Sequence, residues 1–262
     1  MLLILIPLFI INKNIILPYN NLNKFYIITS SEMKKIHSII LARGNSKGIK
    51  NKNMIRVNGK PLIYWSIIRS LKSKKIDYTW VSSDSDKILN YSKKIGANII
   101  KRPKKISNDT ASSESGWRHA IKNIEKKYKI DFVVGIQPTS PIRATDDFDK
   151  ALKIYFLKKL DTLFTCSKLK DFFIWKEQKN RLIPNYSKRK PRQKIKTTFL
   201  ENGSFYIFSK DMFLVKKNRL FGKIGKYVQS KVKSIQIDDY DDLFVINSYF
   251  TKKNYKYIFK KT

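Results

Sequence analysis

From Ile36 onward the chain exchanges two hydrophobic rhythms. Short β-rich runs alternate with stretches whose apolar residues fall three and four apart, as expected for βαβ units wound around a mostly parallel sheet. Ile36–Ala42 predicts the first strand. Pro61 predicts the first turn of a helix in which Leu62, Trp65, Ile68 and Leu71 share one face, because proline lacks only an N–H that the first turn leaves unpaired anyway. Next come a strand over Tyr78–Ser83, a helix over Asp86–Ile95 closed by Gly96, and a strand over Asn98–Lys101. The alternation continues with a helix over Ser112–Tyr128, a buried strand over Asp131–Ile136, a helix over Asp146–Lys159 and a strand over Thr162–Cys166.

The rhythm breaks between Lys170 and Glu201, a polar, basic, proline-containing stretch with Phe172, Phe173 and Trp175 near its start. It reads as an inserted arm, its aromatics either contacting a partner subunit or packing on the parent sheet. The tail predicts a strand over Gly203–Phe208, a short helix over Asp211–Lys217, a strand over Lys233–Ile237 and a closing helix. The fold class is therefore α/β, doubly wound and mostly parallel, with a small inserted arm.

Composition narrows this picture. A chain of 262 residues that is 42% hydrophobic buries one substantial core. The first 32 residues lie outside that core: Met1–Ile11 is apolar but interrupted by Pro7, too short for a spanning helix, and without a basic start or small-residue cleavage site. No stable membrane anchor is expected; a weak one at this segment is the alternative, as is Met33 as the true start. The catalytic-type domain is expected over residues 33–262, with the arm at about 170–201. One cysteine, Cys166, excludes an intramolecular disulfide and points to the cytoplasm. The formal charge of +35 favours anionic partners. Its lysines run from Lys13 to Lys261 alongside abundant Asn and Ile, a dispersed bias that argues against a nucleic-acid module, the competing class.

Ligands of open α/β sheets sit beyond the carboxyl ends of the strands. The loop after the first strand, Arg43-Gly-Asn-Ser-Lys-Gly-Ile-Lys-Asn-Lys-Asn53, supplies Arg43, Lys47, Lys50 and Lys52 with two glycines. Backbone N–H groups there can approach phosphate oxygens while the cations balance their charge. Its spacing is neither that of a Walker P-loop nor Gly-x-Gly-x-x-Gly.

This loop resembles the nucleotide-binding signature of the acylneuraminate cytidylyltransferases, the CMP-sialic acid synthetases. Further matching motifs follow in the same order: Val81-Ser-Ser-Asp84, Arg102-Pro103, Asp109-Thr-Ala-Ser-Ser113, Gln137-Pro-Thr-Ser-Pro-Ile-Arg143, Pro191-Arg-Gln193, Glu201-Asn-Gly-Ser-Phe-Tyr206 and Ile235-Gln-Ile-Asp238. The resemblance implies a Rossmann-like nucleotidyltransferase that transfers CMP from CTP to a nonulosonic sugar acid with Mg²⁺, acting as a homodimer through the arm. It implies phosphate contacts from Arg43 and Lys52, with Lys47 suited to the same role. It implies cytosine or ribose contacts from Asn53, Arg102 and Ser113, and an acceptor pocket of Gln137, Arg143, Arg192, Asn202 and Tyr206. Thr139 is added to that pocket as a polar residue ending a buried strand, where a ligand can serve as its partner. Arg43, Lys52 and Asp238 are the residues expected to act on the reacting phosphates.

For the metal, Asp84 and Asp238 both follow predicted strands and suit an ion that takes few carboxylates plus phosphate oxygens. The family typically reads Asp-Ile-Asp where this chain has Gln236-Ile237-Asp238, so one expected carboxylate is a neutral amide, and Asp84 or Asp239 is left to compensate. Asp238-Asp239 as a helix N-terminal pair is the competing reading. Neither His37 nor His119 is expected to act as a base. Kdo as the acceptor, and a nucleotide-binding regulator without catalysis, remain the alternatives within this resemblance.

Overall fold

The computed structural model describes residues 9–11, 14–18, 25–28, 34–46, 48–169 and 174–251. The chain forms two compact units. In the first, Met1–Lys35, strands β1 (Phe9–Ile11), β2 (Asn14–Pro18) and β3 (Phe25–Ile28) pair antiparallel. The second, Ile36–Thr262, is built on a seven-stranded sheet.

That sheet comprises β4 (Ile36–Leu41), β7 (Tyr78–Ser83), β8 (Asn98–Lys101), β9 (Phe132–Ile136), β10 (Thr162–Leu169), β13 (Thr198–Ser209) and β14 (Ile224–Gln229), in the order β14-β10-β13-β9-β4-β7-β8. Only β13 runs against its neighbours. A two-stranded ribbon, β5 (Arg56–Val57) with β6 (Lys60–Pro61), follows the basic loop, and a hairpin, β11 (Trp175–Gln178) with β12 (Arg181–Pro184), forms the arm.

Period-two alternation distributes the strand side chains between two helical layers. Ile36, Ile40, Val134, Ile136, Phe205 and Ile207 pack against α1 (Leu62–Leu71), α2 (Asp86–Ile95) and α4 (Asp147–Leu157). Their neighbours Ile39, Val133, Tyr206 and Phe208 pack against α3 (Ser113–Ile124) and α5 (Lys210–Lys216). Trp117 of α3 packs against Gly135, where any Cβ would collide with its ring, so a glycine in β9 creates the seat for the largest fully buried side chain among the described residues. A third cluster joins Ile49, Val57, Leu62, Trp65 and Ile237 to Ile246 and Phe250 of α6 (Tyr240–Phe250). The last described helix thus braces the loop that follows the first strand of the sheet.

Element boundaries over Tyr78–Lys101 coincide with the sequence expectation. Gly96 ends α2 at φ 104°, a conformation glycine adopts without steric cost. Two expectations fail. Residues 233–237 are not a strand: Val232–Ser234 forms a 3-10 turn, and Ile237 N–H donates to the Thr139 carbonyl, 2.9 Å. The sheet's edge is instead Ile224–Gln229, whose glycine, lysine and exposed Ile224 and Val228 obscure the alternation of a buried strand. Helix α3 also ends at Ile124, four residues before Tyr128. Among the described residues no helix is long and apolar enough to cross a membrane.

Candidate active site

A cavity of about 550 Å³ opens beyond the carboxyl ends of β4, β8 and β9. Three segments wall it: the basic loop after β4, the loop joining β8 to α3, and residues 137–139 facing 236–238.

The basic loop is held from behind. Gly44 N–H donates to Asp84 Oδ1 at 2.8 Å, and Asn53 Nδ2 donates to the Arg43 carbonyl at 2.9 Å. A Cβ on Gly48 would collide with the Asp238 carbonyl, so the loop's second glycine permits backbone to pack on backbone. Lys52 lies in a 3-10 turn, nearly buried, with Nζ donating to the Ile237 carbonyl at 2.8 Å and to Asp238 Oδ1 at 2.9 Å. Arg43 pairs across the cavity with Asp109 at 2.6 Å. Lys47 lies outside the described residues.

On the facing wall, Arg102 is buried, donates through Nε to Ser107 Oγ at 2.9 Å and runs beside Gly116 of α3. Burial lowers its pKa from the ordinary arginine value and Asp84 opposes that shift, yet the guanidinium remains a cation at neutral pH. Ser112 caps α3 by accepting from Ser115 N–H, which leaves Ser113 at the helix start, on the cavity wall.

The third wall carries no free cation among the described residues. Gln137, Thr139 and Gln236 face the cavity. Gln236 Nε2 donates to the Asn202 carbonyl at 2.7 Å, which turns its Oε1 toward the Thr139 hydroxyl at 3.5 Å. The amide in place of the expected acid therefore has a local purpose: a carboxylate here has no proton to give that carbonyl.

Of the acceptor residues expected from sequence, three lie behind this wall rather than on it. Arg143 is fully buried and donates to Ser66 Oγ, Ser204 Oγ and the carbonyls of Gln137 and Ser204 at 2.7 to 2.8 Å. Burial pushes its pKa down to about 9, against the pull of Asp147. Asn202 donates to Gln229 Oε1 and Ser234 Oγ and accepts from Ser204 N–H. Tyr206 donates to Glu201 and lies under the Arg219 guanidinium, 4.8 Å from the ring centroid; burial and then that bond to Glu201 raise its pKa. Arg192 opens a 3-10 turn in the arm, but its side chain lies outside the described residues.

Beneath the same wall, Asp147 accepts from Lys233 at 3.0 and 3.1 Å, from Tyr227 at 2.9 Å and from Ala144 N–H at 2.8 Å. This buried ion pair anchors the segment leading to Gln236 and Asp238. Sequence reasoning did not single it out, because an aspartate and a lysine 86 residues apart carry no local pattern.

The two proposed metal carboxylates are not brought together in the cavity. Asp84 supports Gly44 and does not line it, whereas Asp238 does, with 71% of its side chain exposed. Asp239 caps α6 in a reciprocal box with Asp242, so the helix-terminal reading holds for Asp239 and not for Asp238. Among the described residues no three His, Cys, Asp or Glu side chains are grouped to hold a metal alone. A divalent cation that takes one or two carboxylates alongside substrate phosphates would find one in Asp238, whose Oδ1 also pairs with Lys52.

The family model described as Cytidylyltransferase matches residues 37–235. Post-translational flagellin modification protein B of Campylobacter coli is 28% identical over 230 residues, covering 85% of this chain and 97% of its own. CMP-N,N'-diacetyllegionaminic acid synthase of Campylobacter jejuni is 29% identical, with coverage of 85% and 97%. N-acylneuraminate cytidylyltransferase of Escherichia coli is 30% identical over 84% of this chain, which spans 53% of that relative's length. Among solved structures, CMP:2-keto-3-deoxy-manno-octonic acid synthetase complexed with CTP superposes with a TM-score of 0.64 at 15% identity, covering 84% of this chain and all of that one. Similarity at that identity reports the fold alone. With the match running from the first strand of the sheet to the segment before Gln236, this chain belongs to the cytidylyltransferase family.

Proposed function

We propose that this protein transfers CMP from CTP to the anomeric hydroxyl of a nonulosonic sugar acid. The anomeric oxygen forms a bond to the α-phosphorus, the bond from that phosphorus to the β-bridging oxygen breaks, pyrophosphate departs, and the hydroxyl proton passes to solvent. The observation that carries this reading is one cavity that gathers the cations Arg43, Lys52 and Arg102 at one end, the first two paired with the lining carboxylates Asp109 and Asp238, and the neutral Gln137, Thr139 and Gln236 at the other. A triphosphate needs fixed positive charge where negative charge accumulates on the leaving group. A polyhydroxylated acid needs donors and acceptors with good geometry.

In this reading Arg43 and Lys52 hold the phosphates, and Lys47 joins them. Asn53, Arg102 and Ser113 receive the nucleoside, while Gln137 and Thr139 receive the acceptor. Arg143, Asn202 and Tyr206 shape the acceptor wall from behind, and Arg192 of the arm meets the sugar carboxylate, for which a guanidinium is suited by bidentate pairing. Asp238 would hold Mg²⁺, which when bound neutralises charge on the departing pyrophosphate.

The arm exposes Ile174, Trp175, Leu182 and Ile183, and the start of β13 exposes Phe199 and Leu200. Apolar surface concentrated this way is suited to burial between subunits, which supports a homodimer; Phe172 and Phe173 lie outside the described residues. The unpaired, buried Cys166 accords with a cytoplasmic enzyme.

Incubating the purified protein with CTP, Mg²⁺ and, in turn, N-acetylneuraminate, legionaminate, pseudaminate and Kdo should release pyrophosphate with at least one nine-carbon acid. Release with Kdo alone would reassign the acceptor, and silence with all four would sink the reading.

A further inference from the structure

Two walls of the cavity, one carrying the basic loop and the other the loop between β8 and α3, are bridged by an ion pair. Arg43 Nη1 stands 2.6 Å from Asp109 Oδ1, and the two side chains are 32% and 41% exposed. The Asp109 loop is internally braced: Ser107 donates to the Pro103 carbonyl, Ala111 N–H to the Asn108 carbonyl, and Thr110 Oγ1 to Asn108 Oδ1. Asp109 is thus presented to Arg43 by a shaped turn that also leads into the Ser112 cap of α3.

The same arrangement recurs deeper in the site, where Lys52 is occupied by Asp238. Both residues assigned to the phosphates, Arg43 and Lys52, therefore already hold a carboxylate. At this exposure an ion pair is weak in water, so a ligand with several adjacent phosphate charges outcompetes a single carboxylate for the same guanidinium. Asp238 has the further role of metal candidate, whereas Asp109 has none.

We infer that Asp109 is a built-in competitor for the nucleotide's phosphates. It holds Arg43 and the wall carrying Arg102 and Ser113 together until a polyphosphate takes Arg43, so phosphate arrival at one wall releases the other. This inference rests on the CTP reading above for the identity of the ligand, not for the competition itself.

The test is calorimetric titration of the full chain and its Asp109→Asn variant with CTP, inorganic tripolyphosphate and cytidine, in EDTA so that metal ligation cannot contribute. Asp109→Asn should tighten CTP and tripolyphosphate by about five-fold, the scale of an exposed ion pair, and leave cytidine unchanged. In an Arg43→Met background the same substitution should have no effect. Equal or weaker binding of both polyphosphates by the variant would overturn the proposal, as would tightening that persists without Arg43, since the carboxylate would then act through general charge. Wild-type protein that binds tripolyphosphate but not CTP would sink the CTP reading while the tripolyphosphate arm still decides the competition. Failure of either protein to bind tripolyphosphate also counts against it.

Discussion

The two ends of the cavity use charge in opposite ways. At the proposed nucleotide end Arg43 and Asp238 are solvent-accessible and held by single ion pairs, so their charge is available to a ligand. At the proposed acceptor end the charges other than Asp238 lie behind the wall, where Arg143, Asp147 and Lys233 are buried and multiply hydrogen-bonded, and Gln137, Thr139 and Gln236, which reach the cavity, are neutral. The same residue type, arginine, is a ligand-facing group at one end and an internal strut at the other. Desolvation makes the difference: a charge that has already been removed from water and fully hydrogen-bonded has nothing left to offer a substrate.

The sharpest way to break this contrast is to remove a charge from the acceptor end. Lys233→Met leaves Asp147 buried with an uncompensated charge and should cost about 3–5 kcal/mol of stability, read from urea denaturation midpoints. A loss below about 1 kcal/mol would mean the pair is scaffolding in appearance only. Arg43→Met makes the complementary case. It should lower turnover about 100-fold, the scale of one lost charge-stabilising donor, while changing stability by less than about 1 kcal/mol; a large melting shift with turnover intact would reverse the assignment.

The smallest effect concerns His119, which lies on α3 in the field of Arg102. Burial, then Arg102 and Lys126, lower its pKa from 6.5. The folded protein therefore resists the proton that the unfolded chain accepts near pH 6.5, so this contribution to stability is intact above that pH and declines as pH falls through it toward the folded value. His119→Gln should flatten the stability profile below pH 6.5 relative to wild type. Identical profiles would show that the ring is freely solvated.

Much of the fold was legible because its signals are local. The short β-rich runs of β4, β7 and β9, the apolar stripe of α1 and Gly96 at the end of α2 each state a backbone conformation within a few residues. The segment at 233–237 misled because alternation of lysine, serine, isoleucine and glutamine mimics a strand, while β14 at the sheet's edge turns Gly225, Tyr227 and Gln229 inward and exposes Ile224 and Val228, the reverse of the hydrophobic pattern that advertises a strand. The site divided similarly. Arg43, Lys52, Asn53, Arg102, Ser113, Gln137, Thr139 and Asp238 all reach the cavity. Arg43, Arg102, Gln137 and Thr139 follow strands and Ser113 opens a helix; Lys52 and Asn53 come from the 3-10 turn at the end of the basic loop, and Asp238 is brought there by the bond from Ile237 N–H to the Thr139 carbonyl. Arg143, Asn202 and Tyr206 carry the same chemistry in their names yet point into the protein.

By itself the sequence determined the winding of the sheet, the basic loop after its first strand and the order of motifs shared with the family, since periodicity and glycine placement act over short range. Only the tertiary structure decided which polar side chains face the cavity, which carboxylate holds which cation, and that Gln236 is tied to Asn202. Those outcomes depend on contacts between residues up to 186 positions apart, where the free energy of burying a charge, rather than local propensity, determines whether a group serves the ligand or the fold.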